Sequence, residues 1–226
     1  MNTEKGFTLR RKPWLFHVFR PLLAFVALYH RVVVTGEEHL PREGPALLLL
    51  KHRSTRDTLL FSRFLYRRTG RTANYLMKYG AAGLPTGLME AFGAVPVIRA
   101  RDILRLDGQA ARAARLREAR RRKQQAFDYV AWLYAQGELV AVYPEGRFCP
   151  HSLGPLDPSA VQHAFRTVQE TGLTLPIVPV GIDYEDLRRP GSRVLFRIGS
   201  PRHPQNFPSP RSLLVELRRF LEGGDG

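Results

Sequence analysis

An imidazole and a carboxylate five positions apart, His52 and Asp57, stand in the run Lys51-His52-Arg53-Ser54-Thr55-Arg56-Asp57, directly behind the apolar stretch Ala46 to Leu50. A carboxylate that holds one ring nitrogen of a histidine leaves the other free to take a proton, which is the chemistry of a general base. Were all six residues helical, the two side chains would diverge by roughly 140°, at about 100° per residue. They meet only if the chain bends between them. A strand ending at Leu50 and a helix opening near Arg56 supply that bend, and a negative charge in the first helical turn suits the helix dipole. The plain alternative is a polar turn in which Asp57 fills the helix start and His52 merely closes the strand.

Three other stretches have the same layout, a short apolar run delivering residues to a polar or Gly/Pro turn. They are Gly93-Ala94-Val95-Pro96-Val97-Ile98-Arg99, Val140-Ala141-Val142-Tyr143-Pro144-Glu145-Gly146-Arg147 and Pro176-Ile177-Val178-Pro179-Val180-Gly181. Such runs read as strands that bring their ends to one rim of a sheet.

With these four segments in this order, the chain resembles the lysophosphatidate acyltransferase family, the glycerophospholipid acyltransferases. His52 and Asp57 match its His-x-x-x-x-Asp block, and Gly93 with Arg99 its Gly-x-x-x-x-x-Arg block. Pro144, Glu145 and Gly146 match its Phe-Pro-Glu-Gly-Thr-Arg block, and Pro179 its apolar Val-Pro block, across roughly residues 30 to 200. The third block departs from the pattern. Arg147-Phe148 replaces Thr-Arg, and Leu156-Asp157-Pro158-Ser159 stands where a Lys-x-Gly segment commonly follows.

The resemblance implies transfer of a fatty acyl group from acyl-CoA or acyl-carrier protein, a co-substrate rather than a cofactor, to the hydroxyl of a lysophospholipid. His52 is then the base and Asp57 its orienter. Arg99 and Arg147 are the candidate phosphate anchors, because a guanidinium binds oxyanions in bidentate fashion. Glu145 is expected either to orient an arginine or, preferably, to bind an acceptor hydroxyl, with Gly146 allowing close approach. Gly93 and Pro179 enter as substrate-binding positions. The departures in the third block leave open other acceptors, such as glycerol-3-phosphate or a sugar- or aminolipid. No cluster with metal-ligand spacing occurs, so no metal is expected. Cys149 has no activating partner in the sequence and is read as a bystander.

Positioning these residues takes an α/β layered domain. Strands are expected at Val32–Val34, Ala46–Leu50, Asn74–Met77, Val95–Ile98, Leu139–Tyr143, Ile177–Ile182 and Val194–Ile198. Helices are expected over 13–29, 56–68, 83–91, 102–136, 158–171 and 210–221. Alternation of this kind predicts a single-domain sheet, mostly parallel or mixed, flanked by helices. Ligands in such sheets bind beyond the carboxyl ends of the strands. Walker A, Gly-x-Gly-x-x-Gly and Gly-x-Ser-x-Gly patterns are absent, which argues against nucleotide-hydrolysis, Rossmann and α/β-hydrolase readings.

Lysine and arginine number 35 against 20 acidic residues, so the partners are anionic. Nine of the basic residues fall between Arg101 and Lys123, against Asp102, Asp107 and Glu118, on a long basic amphipathic segment. That segment is either a solvated outer face or a face for an anionic membrane surface. No nucleic-acid reader motif or stacking ladder accompanies the charge, so no nucleic acid is expected. At the amino terminus, Arg10-Arg11-Lys12 precede an apolar run with Trp14 at one end and Tyr29 at the other, interrupted by His17, Arg20 and Pro21. It is too broken to span a bilayer and reads as an interfacial helix. Residues 1–30 are therefore expected to be a membrane-associating segment and 31–226 the acyltransferase domain, attached peripherally or monotopically to the cytoplasmic face of the cell membrane. The rival class is a basic membrane- or nucleic-acid-binding module without chemistry.

Overall fold

The leucine- and valine-rich runs form seven strands of one sheet, in a computed structural model that describes residues 7–78, 85–97, 109–149 and 151–223. In chain order the elements are α1 (Pro13–Leu28), β1 (Arg31–Thr35), β2 (Ala46–Leu50), α2 (Arg56–Thr69), β3 (Ala73–Lys78), α3 (Thr86–Ala91) and β4 (Ala94–Val97). They continue with α4 (Gln109–Ala135), β5 (Leu139–Val142), α5 (Ser159–Thr171), β6 (Ile177–Tyr184), β7 (Arg193–Ile198) and α6 (Pro210–Glu222). The strand order is β1-β7-β6-β2-β5-β3-β4. All neighbours run parallel except β6 and β7, so the sheet is mixed. This is the expected α/β architecture, with all seven strands where the apolar runs put them.

The parallel centre is apolar on both faces because both are covered by helices. β2 is fully buried along its length. Its alternate residues divide between two cores, as the pleat requires. Leu47 and Leu49 pack with Tyr129, Val130 and Leu133 of α4, Ala164 of α5 and Leu217 of α6. Ala46, Leu48 and Leu50 pack on the other face with Leu60, Phe61 and Leu65 of α2. Each fully buried leucine of this kind contributes roughly 1.5–3 kcal/mol. The two-sided burial also fixes register: a slip by one residue would exchange the two cores and move the residues after Leu50 to the wrong face.

Two of the helices that flank the sheet stop at glycines. Gly70 after α2 and Gly172 after α5 adopt φ of 71° and 69°, the left-handed conformation that closes a helix. Because β2, β3, β4 and β5 are parallel, one rim of the sheet collects the turns after β2 and β5. α2 leaves from that rim.

Candidate active site

The chain leaves β2 at Leu50, turns through Lys51 to Thr55 and enters α2 at Arg56. This bend brings His52 and Asp57 together, with His52 Nδ1 3.1 Å from Asp57 Oδ2. Asp57 has a fully buried side chain, and that of His52 is 15% exposed. A buried carboxylate survives only if its lone pairs are filled, and here they are. Oδ2 also accepts the backbone N–H groups of Arg53 at 2.6 Å and Ser54 at 2.8 Å, and Oδ1 accepts the Tyr184 hydroxyl at 2.6 Å. An ionised carboxylate can only accept, so a neutral imidazole in this contact carries its proton on Nδ1 and its lone pair on Nε2. Asp57 is also in the first turn of α2, where the helix dipole favours its charge.

The imidazole lies between two rings that sequence reasoning did not single out. Tyr143, the residue after β5, stacks on it at 3.9 Å between centroids, and Phe148 lies against it at 4.4 Å. Tyr143 is fixed in turn by a 3.0 Å hydrogen bond to Thr58 and by Tyr75 behind it. Burial first, then the neighbouring Tyr75 and Asp57, pushes the Tyr143 hydroxyl well above its ordinary value, so it stays neutral. Burial, and then the charge and hydrogen bond of Asp57, does the same to Tyr184, which therefore remains an O–H donor. Both tyrosines end apolar strand runs, and that was the available signal.

Glu145 is buried and its two oxygens are engaged by backbone. Oε2 accepts the His52 N–H at 2.6 Å and Oε1 accepts the Gly154 N–H at 3.0 Å. The Cys149 N–H donates to the His52 carbonyl at 2.8 Å, so the backbone on both sides of the imidazole is pinned to the loop after β5. The Glu145 oxygens orient the histidine's backbone, one bond on each. Gly146 closes the turn, with φ of 62° and its N–H bonded to Tyr143 O at 3.0 Å. Arg147 is exposed beside it. Cys149 is a packed thiol; a Cβ on Gly154 would come within 2.8 Å of its sulfur.

The acyltransferase family model matches residues 31–183, about two thirds of the chain and all of the site just described except Tyr184. The chain belongs to the acyltransferase family. No curated protein sequence matches it. Among solved structures it is similar to the 1-acyl-sn-glycerophosphate (LPA) acyltransferase PlsC from Thermotoga maritima, with a TM-score of 0.62 and 18% identity. That match covers 91% of this chain and 77% of the other. At such identity the likeness speaks for the fold.

Two of the expected substrate-binding positions have a backbone role in this acyltransferase. Gly93 precedes β4 at the end of the sheet opposite His52, with φ of 93°, and a Cβ there would meet Ala73 O at 3.1 Å. Its need for glycine is a turn and a close approach, away from the site. Pro179 is buried inside β6, level with Leu49 of β2. Proline is tolerated there because β7 pairs only from Val180 onward; beyond that point Pro179 supplies just a carbonyl, to the Gly199 N–H at 2.9 Å. Arg99 lies outside the described residues.

On the opposite face of β2 from the imidazole, a cleft of about 490 Å³ is lined by Lys51, Arg53, Asp183 and Arg197. Asp183 bonds to Lys51 at 2.9 Å, Arg53 at 2.7 Å and Arg197 at 3.2 Å. No group of three or more His, Cys, Asp or Glu placed to hold a metal occurs among the described residues.

Proposed function

We propose that this acyltransferase moves a fatty acyl group from acyl-CoA or acyl-carrier protein to the hydroxyl of a lysophospholipid of the lysophosphatidate type. The observation that carries the reading is the His52–Asp57 contact, in which Asp57 engages Nδ1 and leaves Nε2 for the acceptor. An acceptor hydroxyl within hydrogen-bond reach of Nε2 gives up its proton as its oxygen attacks the thioester carbonyl. Asp57 stabilises the imidazolium so formed, and the proton then passes to the departing thiolate. A thioester is already activated, so one direct transfer suffices and no acyl-enzyme is needed. Proton transfer by a placed base typically contributes 10²–10⁴-fold.

The same reading places the protein peripherally on an anionic membrane surface, at the cytoplasmic face. Trp14, Val18, Phe25 and Leu28 of α1 recur at helical spacing and are exposed, Phe25 at 72% and Leu28 at 80%. The carboxyl end of α1 lies at the rim of the site, where Arg56 of α2 covers the Tyr29 ring at 4.3 Å. Leu59, in the first turn of α2, and Phe148 add exposed apolar surface at that rim. α4 feeds β5 and so runs against it, which puts the amino-terminal half of α4 at the same rim. Its Arg115, Arg117 and Arg120 are exposed there. An apolar stripe on one layer and guanidinium groups on the other suit the boundary of anionic lipid. No helix among the described residues is long and apolar enough to cross a membrane.

The test is acyl transfer from labelled acyl-CoA and acyl-carrier protein to a panel of lysolipids, with glycerol-3-phosphate and a sugar- or aminolipid included, following thiol release in parallel. Transfer to lysophosphatidate that is lost in a folded His52→Ala variant supports the proposal. Transfer only to another acceptor redirects it, and normal turnover by the variant removes His52 as the base. Lipid binding with no thiol released would favour the non-catalytic module.

A further inference from the structure

Asp183 and Tyr184 are consecutive at the end of β6, and neighbouring residues of a strand point to opposite faces of the sheet. On one face Asp183 Oδ1 accepts from Lys51 Nζ and from Arg53 Nη2, the two residues on either side of His52. On the other face the Tyr184 hydroxyl donates to Asp57 Oδ1 at 2.6 Å, on the oxygen that His52 does not use. We infer that Asp183 and Tyr184 are positioning residues that hold the His52 loop from both faces of the sheet at once. This rests on the reading of His52 as the base, because it assigns them a task in that residue's alignment. Neither reaches the imidazole.

Several features show that the grip is built into the fold. The side chains of Lys51 and Arg53 are only 5% and 11% exposed, so their charges are largely removed from water and depend on Asp183. Burial opposes the charge on Asp183, and the bonds from Lys51, Arg53 and Arg197 outweigh it, holding its carboxyl down at about 2. It therefore stays ionised wherever the enzyme works. Arg197 completes the cluster from β7 and is anchored to the Phe220 carbonyl of α6 at 3.3 Å. Gly181, two residues before Asp183, makes room for it: a Cβ there would come within 2.9 Å of the guanidinium. Tyr184 meets a different need. Asp57 has three donors on Oδ2, and without the tyrosine Oδ1 would be a buried, unfilled carboxylate oxygen, free to draw the group away from Nδ1.

The experiment compares wild type with Tyr184→Phe, Asp183→Asn and Asp183→Glu, by steady-state kinetics and by the proton resonance of His52 Nδ1–H, assigned through its loss in His52→Ala. Tyr184→Phe keeps the ring and deletes one donor. It is expected to lower kcat about ten- to hundredfold with KM for both substrates within about twofold, and to shift the Nδ1–H resonance. Asp183→Asn is expected to act in the same direction, and Asp183→Glu to recover part of the loss. A folded Tyr184→Phe with wild-type kcat and an unmoved resonance overturns the inference, whether or not Asp183→Asn folds. The resonance separates the two questions. If His52→Ala turned over normally, the general base would be lost, while the response of the His52 signal to Tyr184→Phe would still decide the grip.

Discussion

Glu145 and His52 meet carboxylate to backbone: the Glu145 side chain accepts the His52 amide N–H at 2.6 Å, across 93 residues of chain. The turn after β5 thus fixes the position from which the imidazole projects, and Asp57 fixes the direction in which it points. Two sequence blocks that look separate, one catalytic and one substrate-binding, form one support.

Replacing Glu145 with alanine strands two buried N–H groups, those of His52 and Gly154. Each buried group left without its partner costs about 1–3 kcal/mol. Glu145→Ala is expected to lower unfolding stability by a few kcal/mol in urea melts and to lower kcat. Glu145→Gln, which keeps one oxygen for the His52 N–H but sets its amide N–H₂ against the Gly154 N–H, should recover only part of the stability. Equal stability of Glu145→Ala and wild type would mean that the loop holds itself.

Asp57→Asn is nearly isosteric but presents an amide N–H₂ where one carboxylate oxygen now accepts. Turned to the place of Oδ2, the amide nitrogen faces three donors; turned to the place of Oδ1, it makes the Tyr184 hydroxyl an acceptor, and in either case the negative charge that would stabilise an imidazolium is gone. With the amide nitrogen toward His52, the imidazole takes the tautomer with its proton on Nε2 and loses the lone pair that serves the acceptor hydroxyl. The expected loss in kcat is about 10²–10⁴-fold, with KM little changed. Retention of more than about a tenth of the wild-type kcat would show that Asp57 does not set the tautomer.

His163 of α5 gives the stability a pH dependence. Burial first, then the charge of Arg166, lowers its imidazole to about 4 from an ordinary 6.5, and its ring lies 4.7 Å from Phe127. Between those values the unfolded chain holds a proton that the folded chain refuses. Stability therefore rises with pH through the window and is lost as pH falls from about 6.5 towards about 4. Thermal melts across that range should show the loss, and His163→Leu should flatten it. An unchanged slope in the variant would assign the effect to other groups. Asp183 acts lower, with stability present above its ordinary 3.8 and lost as pH falls to about 2.

The fold was legible in the sequence because its strands are the apolar runs themselves. Ala46–Leu50 and Ile177–Ile182 are buried on both faces, so hydrophobicity alone marks them. The His52–Asp57 contact was legible because it is local, five residues with a strand on one side and a helix on the other. The rest of the support was not. Tyr184 reaches Asp57 over 127 residues and Asp183 reaches Lys51 over 132, and no spacing rule encodes a contact that depends on which strands become neighbours. The backbone roles of Gly93 and Pro179 were hidden for a related reason. A glycine needed for positive φ and a proline at the place where a ladder stops look, in a linear motif, the same as residues kept for a ligand.

The stripe on α1 makes the last prediction. Trp14, Val18, Phe25 and Leu28 are spaced by four, seven and three residues, so they lie along one side of a helix whose other side packs on α2 through contacts such as Phe16 against Tyr66. Burying one such side chain in the lipid boundary is favourable by roughly 1.5–3 kcal/mol. An aspartate there forfeits that gain and is repelled by anionic headgroups. Phe25→Asp combined with Leu28→Asp is thus expected to cut co-sedimentation with anionic phospholipid vesicles by more than about tenfold. Both side chains are exposed, so the soluble fold should survive. Charge reversal at Arg115, Arg117 and Arg120 should weaken binding more at low salt than at high salt, since screening already removes much of that attraction. The apolar pair should act at both. Vesicle binding untouched by the aspartates would detach α1 from the membrane and leave its exposed face to another role.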